Sequence, residues 1–529
     1  MDFVFVIFLG IGVLAVLSPL LTFVALFQLK EWRLDRLGEH LRREGALRSL
    51  FGRVRPLLAA LFLAYILYTQ FTFPAEDPME LGTYKQIMRL TAHIGLLLLF
   101  GLLSIGQIVV RRQRMPKWTG KAVTVTILSL LISTGVTFAA VRGVLLPIVL
   151  LLQPLWVLLA WLILKPLDMI LKRRIMRSAS VFRASLKNVT VIGIAGSVGK
   201  TTTKELLKTV LADLHPLSTP AHVNTEMGVA QWLLAQNRDA KLLIVEMGAY
   251  KKGEIALLCD IAQPTIGVMT ALGSDHLALF GSEEAIVEAN AELIEALPKD
   301  GMAYLNGDND AARSLSTRSS CPVVIAGNSA DATLRAIDIE EKDDGLYFHW
   351  HRTGQTTPHQ QQSKAFIPLH GKHNISNIFL AIAVARGLGV SDDRIRELLA
   401  TFRPVAHTFN VRMESGILLL DDTYNISPLS FRAALDWAAK QKQRPRVLLT
   451  SGLQETGARE ETFLTELGKK ASTCVERVVF TTKVGADTFA KAFGKPVEIL
   501  HSGTACVSSG SVLLAVGRLP LSTVQRLLP

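Results

Sequence analysis

Five long apolar runs occupy the first third of the chain, at about residues 3–28, 56–73, 90–110, 122–141 and 143–165. A helix needs roughly 20 apolar residues to cross a hydrocarbon core, so all five are read as spans, the second being the shortest. Five such runs in succession do not fit a soluble core. The first has neither the basic flank nor the small-residue cleavage site of a secretory leader. From residue 188 the pattern changes. TVIGIAG, KLLIVEMGA, PTIGVMTAL and GMAYLN read as buried strands separated by amphipathic helical stretches, which predicts a largely parallel sheet covered by helices. Residues 331–368 interrupt this alternation with short β-prone pieces and polar turns, expected as hairpins on one sheet edge. Helical periodicity returns at HNISNIFLAIAVARGLG, and from Arg403 a second alternating unit begins, with ILLLDD, RVLLTSG, RVVFTT and VLLAVG as its strands. The expected organisation is an α-helical membrane domain over 1–165, a basic linker over 166–187, an α/β domain over 188–402 and a Rossmann-like α/β domain over 403–529.

Charge orients this plan. The loops 30–55 and 111–121 are rich in Arg and Lys, whereas residues 74–80 carry Glu76, Asp77 and Glu80 and no basic residue. By the positive-inside rule the N-terminus lies outside and the large C-terminal part is cytosolic, as in a multi-pass protein of the inner (cytoplasmic) membrane. The formal charge of +12 does not call for nucleic acid as a partner. Much of it sits beside the spans, including Lys172, Arg173, Arg174 and Arg177, where membrane lipids with anionic headgroups are the expected contact. Cys259, Cys321, Cys474 and Cys506 form no CxxC pair, so neither a disulfide frame nor a zinc site is indicated.

The densest chemistry lies in VIGIAGSVGKTTTKELL, residues 191–207, a strand, a glycine turn and a helix in one stretch. This is how a chain builds a phosphate cradle for ATP. Gly196 and Gly199 permit a tight turn around Ser197, Lys200 reaches the outer phosphates, and Thr201, followed by Thr202, presents a hydroxyl to Mg²⁺. The strict motif wants glycine at 194, where this chain has Ile194, and offers Gly193 instead.

Further polar residues fall beyond strand ends, where open α/β sheets bind ligands. Glu246 closes LLIVE, and His276 follows VMTAL in GSDH. Asn374 and Asn377 share a helical face beside His373, and Arg412 precedes ILLLDD, which ends in Asp421 and Asp422 and runs into TYNISP, where Pro428 can open a helix. Each alone is ordinary. In their order, GKTT, NTEMG, EMGA, a following His, GKHNxxN, an Arg and DDTYN resemble the Mur ligases, amide-forming enzymes of cell-wall assembly, over about residues 188–529. DDTYNISP echoes the DDSYNANP of one branch.

The resemblance implies that ATP phosphorylates a carboxylate of a cell-wall precursor and that an amino acid or dipeptide attacks the acyl phosphate. It places Lys200, Glu246, His276 and Arg412 in catalysis. Thr201 and Glu246 would hold a first Mg²⁺, and His276 a second. Asn374 and Asn377 would lie near adenine, Asp422 at the ribose and Arg412 at the γ-phosphate, while Asn224 and Glu226 border the acceptor. Where the family usually carries a lysine whose carbamate supports the second metal, this chain has Asn290. The second metal is then weak, completed by Glu288 or Glu292, or absent. Val411, Ser427 and the SGLQETG of residues 451–457 also depart from the pattern. The spans stand where the family has a soluble UDP-sugar domain, which opens the alternative of a lipid-linked acceptor. Two others are a transporter driven by the P-loop, for which His93, Gln107 and Gln153 are the polar residues within spans, and an inactive ATP-binding scaffold.

Overall fold

The computed structural model describes residues 2–529 apart from 45–50, 53, 72–77, 111–112, 141–143, 353–363, 425, 443–444 and 454–455. Most of the acidic loop at 74–80, together with Asn425 of DDTYNISP and Gln454 and Glu455 of SGLQETG, lies outside the described residues. Two compact units divide the chain, Met1–Lys172 and Arg173–Pro529.

The first unit is helical. Helices α1 (Asp2–Leu29), α2 (Leu34–Glu44), α3 (Val54–Phe71), α4 (Pro78–Val109), α5 (Gly120–Ala140), α6 (Leu146–Leu151) and α7 (Gln153–Ser185) follow one another, and α1 packs along α4 and α5. Four of the described helices are long and apolar enough to cross a membrane, with Leu9–Leu29, Thr83–Val109, Gly120–Ala140 and Gln153–Ser185 as the stretches concerned; Val54–Thr69 is a shorter apolar helix. Their outward faces stay apolar: Leu57, Phe71, Leu102 and Leu131 are exposed, a surface that water does not favour over such an area. The fifth expected run is not one helix. Leu152 separates α6 from α7, and Pro154, which has no N–H to donate back to α6, sits in the first turn of the new helix. The expected linker is helical too. Nothing between Leu167 and Ser185 breaks the helix, so α7 runs on through the basic residues. Gln107 accepts from the Ser18 hydroxyl, and Gln153 accepts from Ser133 at 2.7 Å. These are helix-to-helix packing bonds of the kind small polar residues make in bundles.

The second unit carries two sheets. In the larger, β1 (Thr190–Ala195), β2 (Leu217–Ser218), β3 (Leu242–Glu246), β4 (Ile266–Met269), β5 (Met302–Asn306), β6 (Val323–Gly327), β7 (Leu334–Lys342), β8 (Gly345–Arg352) and β9 (Ala365–Ile367) lie in the order 2-3-1-4-5-6-7-8-9. The sheet is parallel up to β7 and antiparallel across β7, β8 and β9, the hairpin edge expected from sequence. Side chains alternate along β1: Ile192 and Ile194 enter one core with Leu206 and Leu207, while Val191 and Ala195 enter the other with Leu243 and Val245. Both faces are therefore covered, as a parallel sheet requires. The smaller sheet orders β10 (Asn410–Glu414), β11 (Ile417–Asp422), β12 (Arg446–Thr450), β13 (Arg477–Phe480), β14 (Glu498–Ile499) and β15 (Val512–Val516) as 10-11-15-12-13-14. Only β10 is antiparallel to its neighbour.

Candidate active site

Strand β1 lies between β3 and β4, where the strand order reverses, so its C-terminal end opens into a crevice. The turn 196–199 fills that position and leads into helix α8 (Lys200–Val210). Gly199 takes φ 92°, and a Cβ there would overlap the Asn377 amide; a Cβ on Gly196 would overlap Thr270. Both positions thus need glycine. Gly193 has another reason: a Cβ would come within 2.9 Å of Leu293, so it lets a helix settle on β1 rather than extending the turn. The amides of Ser197 and Val198 donate to the Ala271 carbonyl at 2.9 and 3.1 Å. These two amides are thereby engaged inside the protein. The amides left for an anion are those of the first turn of α8, which have no intrahelical acceptor. Ser197 ties the turn down through its hydroxyl, which accepts from Gly273 N–H at 3.0 Å, and Thr202 is buried.

Lys200 folds back, Nζ donating to the carbonyls of Gly196 at 2.5 Å and Ser197 at 2.9 Å. Desolvation draws its ammonium below the ordinary lysine range, against the opposing pull of the Glu246 and Asp275 carboxylates. A phosphate group arriving at the turn offers it stronger partners than two carbonyls.

Glu246 is the hub of this corner. Its carboxylate accepts from the Thr201 hydroxyl at 3.1 and 3.2 Å and from Asn224 Nδ2 at 3.2 Å, and lies 3.3 Å from Lys204 Nζ. Its backbone N–H donates to Thr219 Oγ1 at 3.1 Å, which fixes the strand end. Two cis ligands on an octahedral Mg²⁺ stand roughly 2.9 Å apart. The Thr201 and Glu246 oxygens are close to that spacing already, and the residues present fit the metal. Glu226 opens the helix Glu226–Leu234 just after Asn224.

The neighbouring corner differs. His276 sits at φ 58°, capping the short helix Leu277–Phe280, with Tyr250 edge-on at 4.6 Å. On helix α12 (Glu283–Glu295; α9, α10, α11 and α13 are the helices Glu226–Leu234, Glu254–Ala262, Leu277–Phe280 and Asp310–Ser314), Asn290 is buried and its amide donates to the Ile286 carbonyl at 2.8 Å. Glu288 is held by Arg318 at 2.5 Å and Lys252 at 3.3 Å. Glu292 accepts from the N–H groups of Gly253 and Ala256 at 2.7 and 2.9 Å, capping α10. Both carboxylates considered as substitute ligands are engaged elsewhere. Among the described residues no three His, Cys, Asp or Glu side chains converge as a metal group.

The second sheet closes the cleft from its other side. His373 meets Phe409 edge-on at 4.5 Å, His222 bonds the Tyr424 hydroxyl at 2.6 Å, and Arg459 pairs with Glu283. Burial pushes the His373 imidazole down to about 4. Asn377 donates to Asn374 at 3.2 Å and stands over Gly199. Asp422 is buried with the Phe409 N–H on one oxygen at 3.2 Å, and burial beside Asp421 raises it to about 7. Arg412 bonds Asp421 at 2.9 Å and Glu414 at 2.9 Å, all within its own hairpin. Pro428 does open a helix, Pro428–Ala439, behind a Ser427 capping box.

Residues 194–385 match the Mur ligase middle domain. The chain is 34% identical over 342 residues to the UDP-N-acetylmuramoyl-tripeptide–D-alanyl-D-alanine ligase of Synechocystis sp., covering 64% of this chain and 71% of that protein. The chain belongs to the Mur ligase family. It is 31% identical over 300 residues to the Bacillus subtilis ligase of the same name, spanning 63% of its length and 56% of its own. Among solved structures, the MurF ligase of Thermotoga maritima in complex with ADP is 26% identical with a TM-score of 0.57, over 67% of this chain and 82% of that one. Mur ligases are ATP-dependent acid–amino-acid ligases that work with Mg²⁺.

Within this Mur ligase, the structure brings Lys200, Thr201, Glu246, Asn224 and Asn377 into one corner, while Arg412 makes its contacts inside the β10–β11 hairpin. Sequence reasoning missed Lys204. Its side chain has no exposed surface and sets its charge against Glu246. A signal was present: a lysine four residues after Lys200 lies one helical turn on, on the same face.

Proposed function

We propose that the chain is a membrane-anchored ATP-dependent ligase that joins D-alanyl-D-alanine, or an amino acid or dipeptide like it, to a carboxylate of a peptidoglycan precursor. The observation that carries this is the Thr201–Glu246 pair, 3.1–3.2 Å apart beside Lys200 on a Mur ligase fold. In the reaction an acceptor carboxylate oxygen attacks the γ-phosphorus of ATP and ADP leaves. The amine then attacks the acyl carbon, inorganic phosphate departs, and the amine gives up a proton. Lys200, with the first-turn amides of α8, offsets charge on the transferring phosphoryl group. Thr201 and Glu246 would hold Mg²⁺, which when bound supplies Lewis-acid stabilisation of the phosphate oxygens. Asn374 and Asn377 border the adenine side, Asp422 the ribose, and Asn224 and Glu226 the acceptor. The contacts of Phe409, Tyr424 and Arg459 across the cleft would keep water from the acyl phosphate.

The N-terminal helices support anchorage, with the N-terminus outside and the α/β unit in the cytosol. They also favour a second form of this reading, in which the acceptor is lipid-linked, because the similarity to the Synechocystis ligase covers 64% of the chain and the N-terminal helices are apolar. The test is ADP release by the detergent-solubilised full chain with ATP and Mg²⁺. Release that requires both a UDP-muramoyl-tripeptide and D-alanyl-D-alanine supports the main reading. Release only with a polyprenyl-linked acceptor supports the second. Release needing neither would overturn both.

A further inference from the structure

Residues 173–185 of helix α7 belong to the second unit, and this stretch is two-faced. Arg183 is buried, donating to the carbonyls of Ala262 and Gln263 at 3.0 and 3.2 Å, and Ser180 donates to the Asp260 carbonyl at 2.8 Å. Ile175, Met176, Ala179 and Phe182 pack into the core on that side. The opposite stripe, Arg174, Arg177 and Val181, is exposed and follows the i, i+3, i+4 spacing of one helical face. Arg238, from the turn after α9, joins it, and the three arginines line a groove of about 630 Å³ together with Val181 and Phe182. None of the three forms an ion pair among the described residues. Most other arginines of this unit, such as Arg313, Arg318, Arg394 and Arg477, have carboxylate partners.

We propose that this groove holds the headgroup of an anionic glycerophospholipid. Arg174, Arg177 and Arg238 take the phosphate oxygens, and Val181 and Phe182, farther along the helix from its apolar stretch, complete the groove wall. The proposal rests on the reading of the helices as membrane-spanning. Arg174 follows Leu171 by three residues on the same helix, a separation of roughly 4.5 Å at the rise of an α-helix. Lipid phosphate is the abundant anion at that depth, and arginine forks suit phosphate oxygens. Arg238 distinguishes a built site from a diffuse basic collar, since it comes from a different element and from 61 residues beyond Arg177.

The test is native mass spectrometry of the full chain, purified in non-ionic detergent and titrated with phosphatidylglycerol or phosphatidylcholine. Phosphatidylglycerol should be retained in preference. Arg238→Ala and Arg174→Ala should each weaken its retention about fivefold. Equal retention of the two lipids, an Arg238→Ala variant that binds like the parent, or displacement of the lipid by millimolar inorganic phosphate would each overturn the proposal. Alkaline carbonate extraction of membranes separates the two readings. A chain released by carbonate removes the spanning helices themselves, whereas a retained chain without lipid preference removes the groove alone.

Discussion

Two corners of one cleft have had opposite fates. At the first, Thr201, Glu246, Asn224 and Lys204 converge, and the oxygen spacing already suits a cation. At the second, Asn290 bonds its own helix, Glu288 is paired with Arg318 and Lys252, and Glu292 caps α10. A carboxylate near a site is therefore not a ligand by proximity. What matters is whether its lone pairs are still available once the fold has used them. The paired aspartates repeat the lesson. Asp421 is satisfied by Arg412 and the Thr423 hydroxyl, with His407 at 3.0 Å, whereas Asp422 has one backbone N–H and is pushed up to about 7.

The comparison can be broken most directly at the built corner. Lys200→Ala should reduce turnover about a thousandfold while thermal unfolding and membrane extraction match the parent. A rate within tenfold would remove the turn from the mechanism. Glu246→Gln should cost on the order of a hundredfold and raise the Mg²⁺ needed for half-maximal rate; an unchanged Mg²⁺ titration would show that the carboxylate is not a ligand.

Asp422 tests the contrast through stability. Its folded-state value lies above the ordinary 3.8, so the native state retains a proton that the unfolded chain releases as pH rises. The penalty is absent below about pH 3.8, grows through the interval and is complete above about 7. Asp422→Asn should thus gain up to about 4 kcal/mol over the parent at pH 8 and little at pH 4, read as the difference in melting temperature. Equal shifts at both pH values would mean that folding leaves the carboxyl's hold on its proton unchanged.

Smaller effects probe the second corner. Glu292→Ala should lower stability by about 1–2 kcal/mol through loss of the cap and leave the Mg²⁺ titration unmoved; a shifted titration would make it a ligand after all. Asn290→Lys should lower the half-saturating Mg²⁺ by a few-fold if the position faces the metal, with bicarbonate present so that a carbamate can form. No response in that titration would place Asn290 outside the site.

Much of the fold was legible because it depends on local pattern. The alternation of VIGIA and LLIVE marked parallel strands covered on both faces, and Pro428 and Ser427 marked a helix start. Strand β10 was not legible: NVRME is polar, half-buried and held by pairing with β11. The break at Leu152 and the helical course of the expected linker also escaped, since an apolar run does not reveal where one helix yields to the next. At the site, spacing identified Lys200, Thr201 and Glu246. The role of the Ser197 and Val198 amides was hidden, because their acceptor, Ala271, lies 73 residues beyond Val198.

The sequence by itself determined the two-part architecture, the glycine turn and the family, because hydropathy, periodicity and short motifs act over a few residues. Only the tertiary structure decided which carboxylates remain available to a metal, where the arginines converge, and why Gly193 and Gly199 are glycine for different reasons. Those outcomes depend on which distant atoms fill each hydrogen-bonding site and each space, and no run of neighbouring residues carries that information.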